Sequence, residues 1–336
     1  MMPIRPGRAK AISFVTGFPL TYTGNGTFES YPYTVVGGLD LITGLPYVNT
    51  LFVGKNGSNS NSGTKPTEPL LTIGAATTAA AALAPTEADP VGIIILDSGV
   101  YVEAVTLPDY VSLLGLTAVV GGVIVVGDGS SVLLERLVSV ADSSVLLRKP
   151  VGNTGISYAR IVEIDGRPNS GVALAGNLAA EGVLFVATGR AFVGTSGIGF
   201  GDALGGFGHM HVDVEDLYLA GDTCIGIFGN LADSSILVRG GHILEIGTPT
   251  GTTAISVSST GSVYVDLRQT IADTAYTITG AGNLYLICPD VQGTRTGAPA
   301  LEISSDRLVA PNLPTAAAGL PSGAIWNNSG VLNIVP

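Results

Sequence analysis

Reaction chemistry needs groups that give or take protons, and the densest set in this chain is HVDVEDLYLAGD, which holds Asp213, Glu215, Asp216 and Asp222. On a strand the side chains alternate between faces, so Asp213 and Glu215 share one face while Val212 and Val214 turn to the core. Two carboxyls about 5 to 10 Å apart, one acting as acid and the other as base or nucleophile, are what glycosidic-bond cleavage requires. Asp266 and Glu245 fall on later segments that would return near the same face. The catalytic reading is an acid set of Asp213, Glu215 and Asp266. The competing reading is a solvated outer face, since the chain holds 26 acids and this cluster has no matching repeat.

A second feature is three triplets, LYL, VYV and LYL, whose aliphatics would point inward and leave Tyr218, Tyr264 and Tyr285 as an outward row. Aromatics on an outer face bind sugar rings, form a subunit contact, or stack on one another to support the sheet. Other chemistry is poorly served. Cys224 and Cys288 lie far apart in apolar surroundings and read as buried small hydrophobes rather than a disulfide or a zinc site. His209, His211 and His242 lack metal-ligand spacing, the SNSNSG loop lacks acids for calcium, and no cofactor motif is present. GIGFGDALGGFGHM (197–210) has the look of a phosphate loop but no βαβ setting, and reads as a long loop or a neighbour contact.

These residues need a scaffold, and the composition describes it. Charged residues make up 12% of the 336, the apolar fraction is 46%, and there are 47 glycines. That is a chain of short strands and turns, with few solvated helices. A net charge of -11 with scattered basic residues excludes a nucleic-acid binder. No apolar run reaches the roughly 18 to 20 residues that cross a bilayer, so no membrane insertion is expected. The basic start MMPIRPGRAK runs into AISFVTGFPLTYTG, where Thr, Gly and Pro break the apolar residues, so it does not read as a signal peptide.

Beyond Pro90 short apolar strands alternate with Gly, Asn, Asp and Ser. Aligning 253–267 with 274–288 matches Ala254 to Ala275, Gly261 to Gly282 and Tyr264 to Tyr285, each at an offset of 21. Ser235 precedes Ser262 by 27, and Leu217 precedes Ile236 by 19. A loose period in the low twenties with strands in every unit predicts a parallel β-solenoid rather than a β-sandwich. An alanine-rich stretch, 70–84, sets Ile73, Ala76, Ala80 and Leu83 on one helical face, suited to covering the open end of the first coil.

The run FVGKNGSNSNSGTKPTEPLLTIGAA, followed by IIILDSGVYVEAVTLPDYVSLLGL, resembles the first turns of pectin-lyase-like right-handed β-helices of phage tailspikes. The matching positions are Thr72, Ile73, Ala75 and Ala76, then Gly99, Tyr101, Glu103, Val105, Leu107 and Pro108, then 111–115. The segment NLPTAAAGLPSGAIWNNSGVLNIVP (312–336) resembles a terminal segment of phage structural proteins. The resemblance implies an all-β, right-handed parallel β-helix of about ten coils over 51–305 with a capping helix near 70–84. A virion-attachment arm (1–50) would precede it, and a C-terminal strap with a hairpin (306–336) would follow. Low surface charge calls for a partner, and the resemblance makes that partner the chain itself, as a homotrimer. The expected role is a non-enzymatic virion-surface protein, a tail fibre, spike or capsid decoration, made in the host cytoplasm and docked on other virion proteins by its arm. The alternatives are a depolymerase of host polysaccharide and a noncatalytic glycan-binding fibre.

Overall fold

The structure is a computed structural model that describes residues 49–140, 145–150, 152–177, 182–201, 209–229, 235–258, 262–279, 281–306 and 308–309. It also gives the backbone of two short hairpins, Leu20–Tyr22 with Phe28–Ser30 and Ile325–Asn328 with Val331–Ile334. The expected arm over 1–50 and strap over 306–336 otherwise lie almost wholly outside the described residues.

Asn49 to Val309 form one 22-stranded sheet wound as a parallel β-helix. The winding is plain in one inward column, where Leu51, Ile93, Leu113, Val132, Ala159, Val186, Val212, Val238, Val265, Leu286 and Glu302 stand in direct register. Those positions bound ten coils, a stack about 48 Å long at roughly 4.8 Å per strand. Between Ile93 and Leu286 a coil takes 19 to 27 residues. The first coil is longer because it carries the polar loop and the helix. A second inward column, Val105, Ile124, Leu147, Ala175, Phe200, Ile227, Ile255 and Tyr276, closes the far wall. Most of these side chains are fully buried, each contributing roughly 1.5–3 kcal/mol for an aliphatic.

The middle coils contain long strands, Val183–Val193, His209–Leu219 and Ser235–Glu245. In His209–Leu219 alternation places Met210, Val212 and Val214 inward, then fails at Glu215–Asp216, and resumes with Leu217 and Leu219. Two outward residues in succession turn the strand through a corner onto a second wall. One coil on, the register sets Gly241–His242 at the corner with Gly240 just before it, and a Cβ on Gly240 would sit 1.6 Å from the Val214 carbonyl oxygen. Only glycine lets the two coils approach so closely there.

The lid is the helix Ile73–Ala82. Ile73, Ala76, Thr77 and Ala80 are buried on the first coil, whereas Leu83, expected on that face, is the C-cap and is 45% exposed. A terminal residue past the last helical turn is free to swing to solvent, and Thr77 takes its place on the buried face. The side chain of Thr72 accepts from the Ala75 amide at 3.1 Å, which is the N-cap geometry. The Glu103 carboxylate accepts from the amides of Ile73 (3.0 Å) and Gly74 (2.8 Å). The Ser/Asn loop holds the same end. Asn59 Oδ1 accepts from the amides of Leu71 and Thr72, and Asn61 donates to the Pro69 carbonyl. Asp97 accepts from the Lys55 and Gly99 amides and the Tyr101 hydroxyl, and the Lys55 ammonium lies 3.9 Å from the Tyr101 ring centroid.

The other end is closed by charge. Glu302 stands at the last inward position, fully buried, accepting from the Tyr276 hydroxyl at 2.8 Å with Arg295 Nε at 3.1 Å. Leu308–Val309 then returns antiparallel along Leu301–Ile303.

Candidate functional site

The corner strands position an open groove of about 940 Å³ on the outside of the middle coils. Arg160, Asp213 and Arg239 reach it from the first wall, Glu215, Gly241 and Arg268 from the corner, and Asp216 and His242 from the second wall. Its width comes from small residues, since Ala187, Gly189, Gly240 and Gly241 put almost no side chain into the space.

Register explains the charges. On the first wall one outward column runs Arg160, Ala187, Asp213, Arg239, Asp266, Ile287, Ile303. Arg239 thus stands between two of the expected catalytic acids, which are two strands apart, roughly 10 Å. Asp213 and Glu215 both line the groove as outward residues of one strand, while Asp266 lies beyond it. Burial lowers the pKa of the Arg160 guanidinium from its usual value.

On the second wall a column runs Arg136, Glu163, Arg190, Asp216, His242, Gln269, Asp290, with charge alternating in sign from Arg136 to Asp216. Glu163 is held from both sides, by Arg136 Nε at 2.7 Å and Arg190 at 3.0 Å. The Arg136 contact is an ion pair by distance without the alignment of a hydrogen bond. Asp216 contacts His242 Nδ1 at 2.8 Å and accepts from the Tyr218 hydroxyl at 3.2 Å, and Gln269 donates to Asp290. Beside the column, Asp165 is nearly buried. Burial alone would raise its pKa, but hydrogen bonds from the Arg167 side chain and amide, joined by Arg136, hold its carboxyl below the usual range.

The remaining acids of the cluster are structural. Asp222 accepts from the Thr250 amide at 2.8 Å, and Glu245 accepts from the Thr252 hydroxyl and, at 2.8 Å, from the Asp273 amide. Among the described residues no three of His, Cys, Asp and Glu come together as metal ligands. Both cysteines are buried and free. Burial raises both thiols, that of Cys288 to about 11, away from the thiolate a nucleophile needs.

The tyrosine row is corrected by the register. Tyr264 lies directly over Tyr285, with ring centroids 4.6 Å apart and planes 8° apart. Tyr218 belongs to the second wall, over Phe192 at 5.0 Å, with Leu244 on its other side. The offset of 19 between Leu217 and Ile236 compared two walls, whereas Met210 is the true partner of Ile236. What the sequence concealed is a longer column on the first wall, Tyr158, Phe185, His211, Leu237, Tyr264, Tyr285, Leu301. Tyr158 stacks on Phe185 with centroids 4.9 Å apart, and His211 packs tilted on Phe185 at 4.6 Å. Burial first, then the charges of His209 and Arg239, lowers the pKa of His211, against Asp213. GIGFGDALGGFGHM is also not all loop, because Ile198–Gly201 and the strand from His209 are rungs of the sheet, and residues 202–208 lie outside the described residues.

Chemically the groove offers three carboxylates on one strand, of which Asp216 orients the His242 imidazole, and several guanidinium groups. Sequence reasoning found Asp213 and Glu215 but missed Arg160, Arg239, His242 and Arg268. An offset of 26 residues from Asp213 and Asp216 was the signal that could have found Arg239 and His242, and one of 53, two coils, from Asp213 and Glu215 the signal for Arg160 and Arg268. Among the described residues no helix is long and apolar enough to cross a membrane. No protein-family model, curated protein or solved structure is found to match this chain.

Proposed function

We propose that this chain is a non-enzymatic structural protein of a phage virion surface, a tail fibre, spike or capsid decoration, that assembles as a homotrimer and docks by its N-terminal arm. The observation that supports this reading is the lid. Thr72, Ile73 and Glu103, through which the chain resembles phage β-helices, are residues that join the helix to the first coil, and Tyr101, from the same motif, is buried there and donates to Asp97. The outward acids support it as well, since Glu163, Asp165, Asp216, Asp222 and Glu245 each hold coils or turns together. Gold labelling of intact particles tests the assignment. Label on the particle surface is expected, few copies marking a tail and hundreds a shell, and particles without label refute it.

The groove favours a second reading, a glycan site with or without cleavage. Asp213 and Glu215 line it together, and guanidinium groups and small residues leave room for a sugar chain. Incubating the protein with host capsule and measuring reducing ends or unsaturated sugars tests cleavage. Activity lost in Asp213→Asn would replace the structural reading by an enzymatic one.

A further inference from the structure

The last coils carry an apolar patch that the groove and the lid do not use. Tyr264, Tyr285 and Leu301 follow one another in one outward column, Ile287 and Ile303 in the next, and Leu308 stands opposite Ile303. Tyr264 is 40% exposed, Ile287 and Ile303 44% each, and Leu308 50%. Four adjacent strands thus present a flat apolar surface roughly 15 Å along the stack. It borders Leu308–Val309, the last strand of the ladder among the described residues and paired among them on one side only. Contiguous exposed apolar surface beside an open strand edge marks a contact with another chain.

We propose that this face is where a second copy of the chain docks. The inference rests on the self-association proposed above and names its surface. Charge argues for a copy of the same chain. The column holding Ile287 and Ile303 continues along the stack as Asp266, Arg239 and Asp213, all exposed, so the wall beside the patch offers alternating signs. A partner of one sign would meet repulsion at every other rung, whereas a copy carries the same alternation and can match it. The patch supplies the dry centre of the contact and the alternating column its polar rim.

Sedimentation velocity of the full chain, compared with an Ile287→Lys/Ile303→Lys double variant, tests this. Both positions point to solvent, so far-UV circular dichroism is expected to stay unchanged while the variant falls to the mass of a single chain. A wild-type chain that is monomeric would refute the self-association itself. An assembled wild type with an equally assembled variant would refute only this face. Should the double variant fail to fold, Ile303→Cys with a short bismaleimide linker decides. Cys224 and Cys288 are buried, so a covalent dimer is expected through position 303, and its absence from an assembled sample overturns the proposal.

Discussion

Removing the Glu103 carboxylate gives the sharpest test of how the lid is held. In Glu103→Ala the amides of Ile73 and Gly74 lose an ionised acceptor at 3.0 and 2.8 Å. Each such bond is worth about 1.5–3 kcal/mol when desolvated, and partial exposure at the helix end brings the pair to roughly 2–3 kcal/mol. Thr72 and Asn59 still satisfy neighbouring donors, so the loss falls on the helix and not on the whole stack. A helix of ten residues is marginal alone and depends on such anchors. Local opening of Ile73–Ala82 should therefore rise about 30- to 150-fold, at 1.4 kcal/mol per tenfold. Native-state hydrogen exchange reads this directly, with amides of Ala76 to Ala82 losing protection by that factor while those of Val212 and Val238 keep theirs. Glu103→Gln retains one acceptor and should lose about half as much in free energy. Helix protection unchanged within threefold in Glu103→Ala would refute the view that this carboxylate fastens the lid.

Gly240→Ala forces a Cβ against the Val214 carbonyl and should cost about 3 kcal/mol or more, read as a lower denaturation midpoint with the same slope. Glu302→Ala removes the buried acceptor of the Tyr276 hydroxyl and one partner of Arg295, whose guanidinium keeps Asp306 at 2.9 Å, and should cost about 2–3 kcal/mol by chemical denaturation. Asp165 has a folded pKa below its unfolded value, so its contribution is complete above about pH 4 and fades as pH falls through the folded value. In Asp165→Asn the denaturation midpoint should depend less on pH in that acid range. His211 is also lowered, so the unfolded chain binds its proton first and stability drops as pH falls below about 6.5, an effect His211→Phe should remove in urea titrations between pH 7 and 5.

The stack was legible where coils have equal length. Ser235 pairs with Ser262, Thr253 with Thr274 and Tyr264 with Tyr285, the offsets of 27 and 21 read from the letters alone. It was illegible where a strand turns a corner, because LYL at 217–219 and ILV at 236–238 look alike but lie on different walls. Apolar letters mark inward positions without saying which wall they belong to. The groove was half legible for the same reason. Its acids cluster in sequence, whereas its arginines and His242 arrive one or two coils away, and variable turns blur the offsets. The lid helix was read from its alanines. The carboxylate that fastens it lies 30 residues on, as Glu103 to Ile73, where no local rule points.

The second wall's alternating charges have one more consequence. Valine, leucine and isoleucine fill most inward positions, so apolar packing alone does little to tell one coil from another. The charges tell them apart. A coil that skipped its neighbour while folding would set Glu163 beside Asp216 and Arg136 beside Arg190, like against like, with nothing to offset the repulsion. The column therefore works as a parity check, rejecting the commonest miscount a repetitive sequence can make.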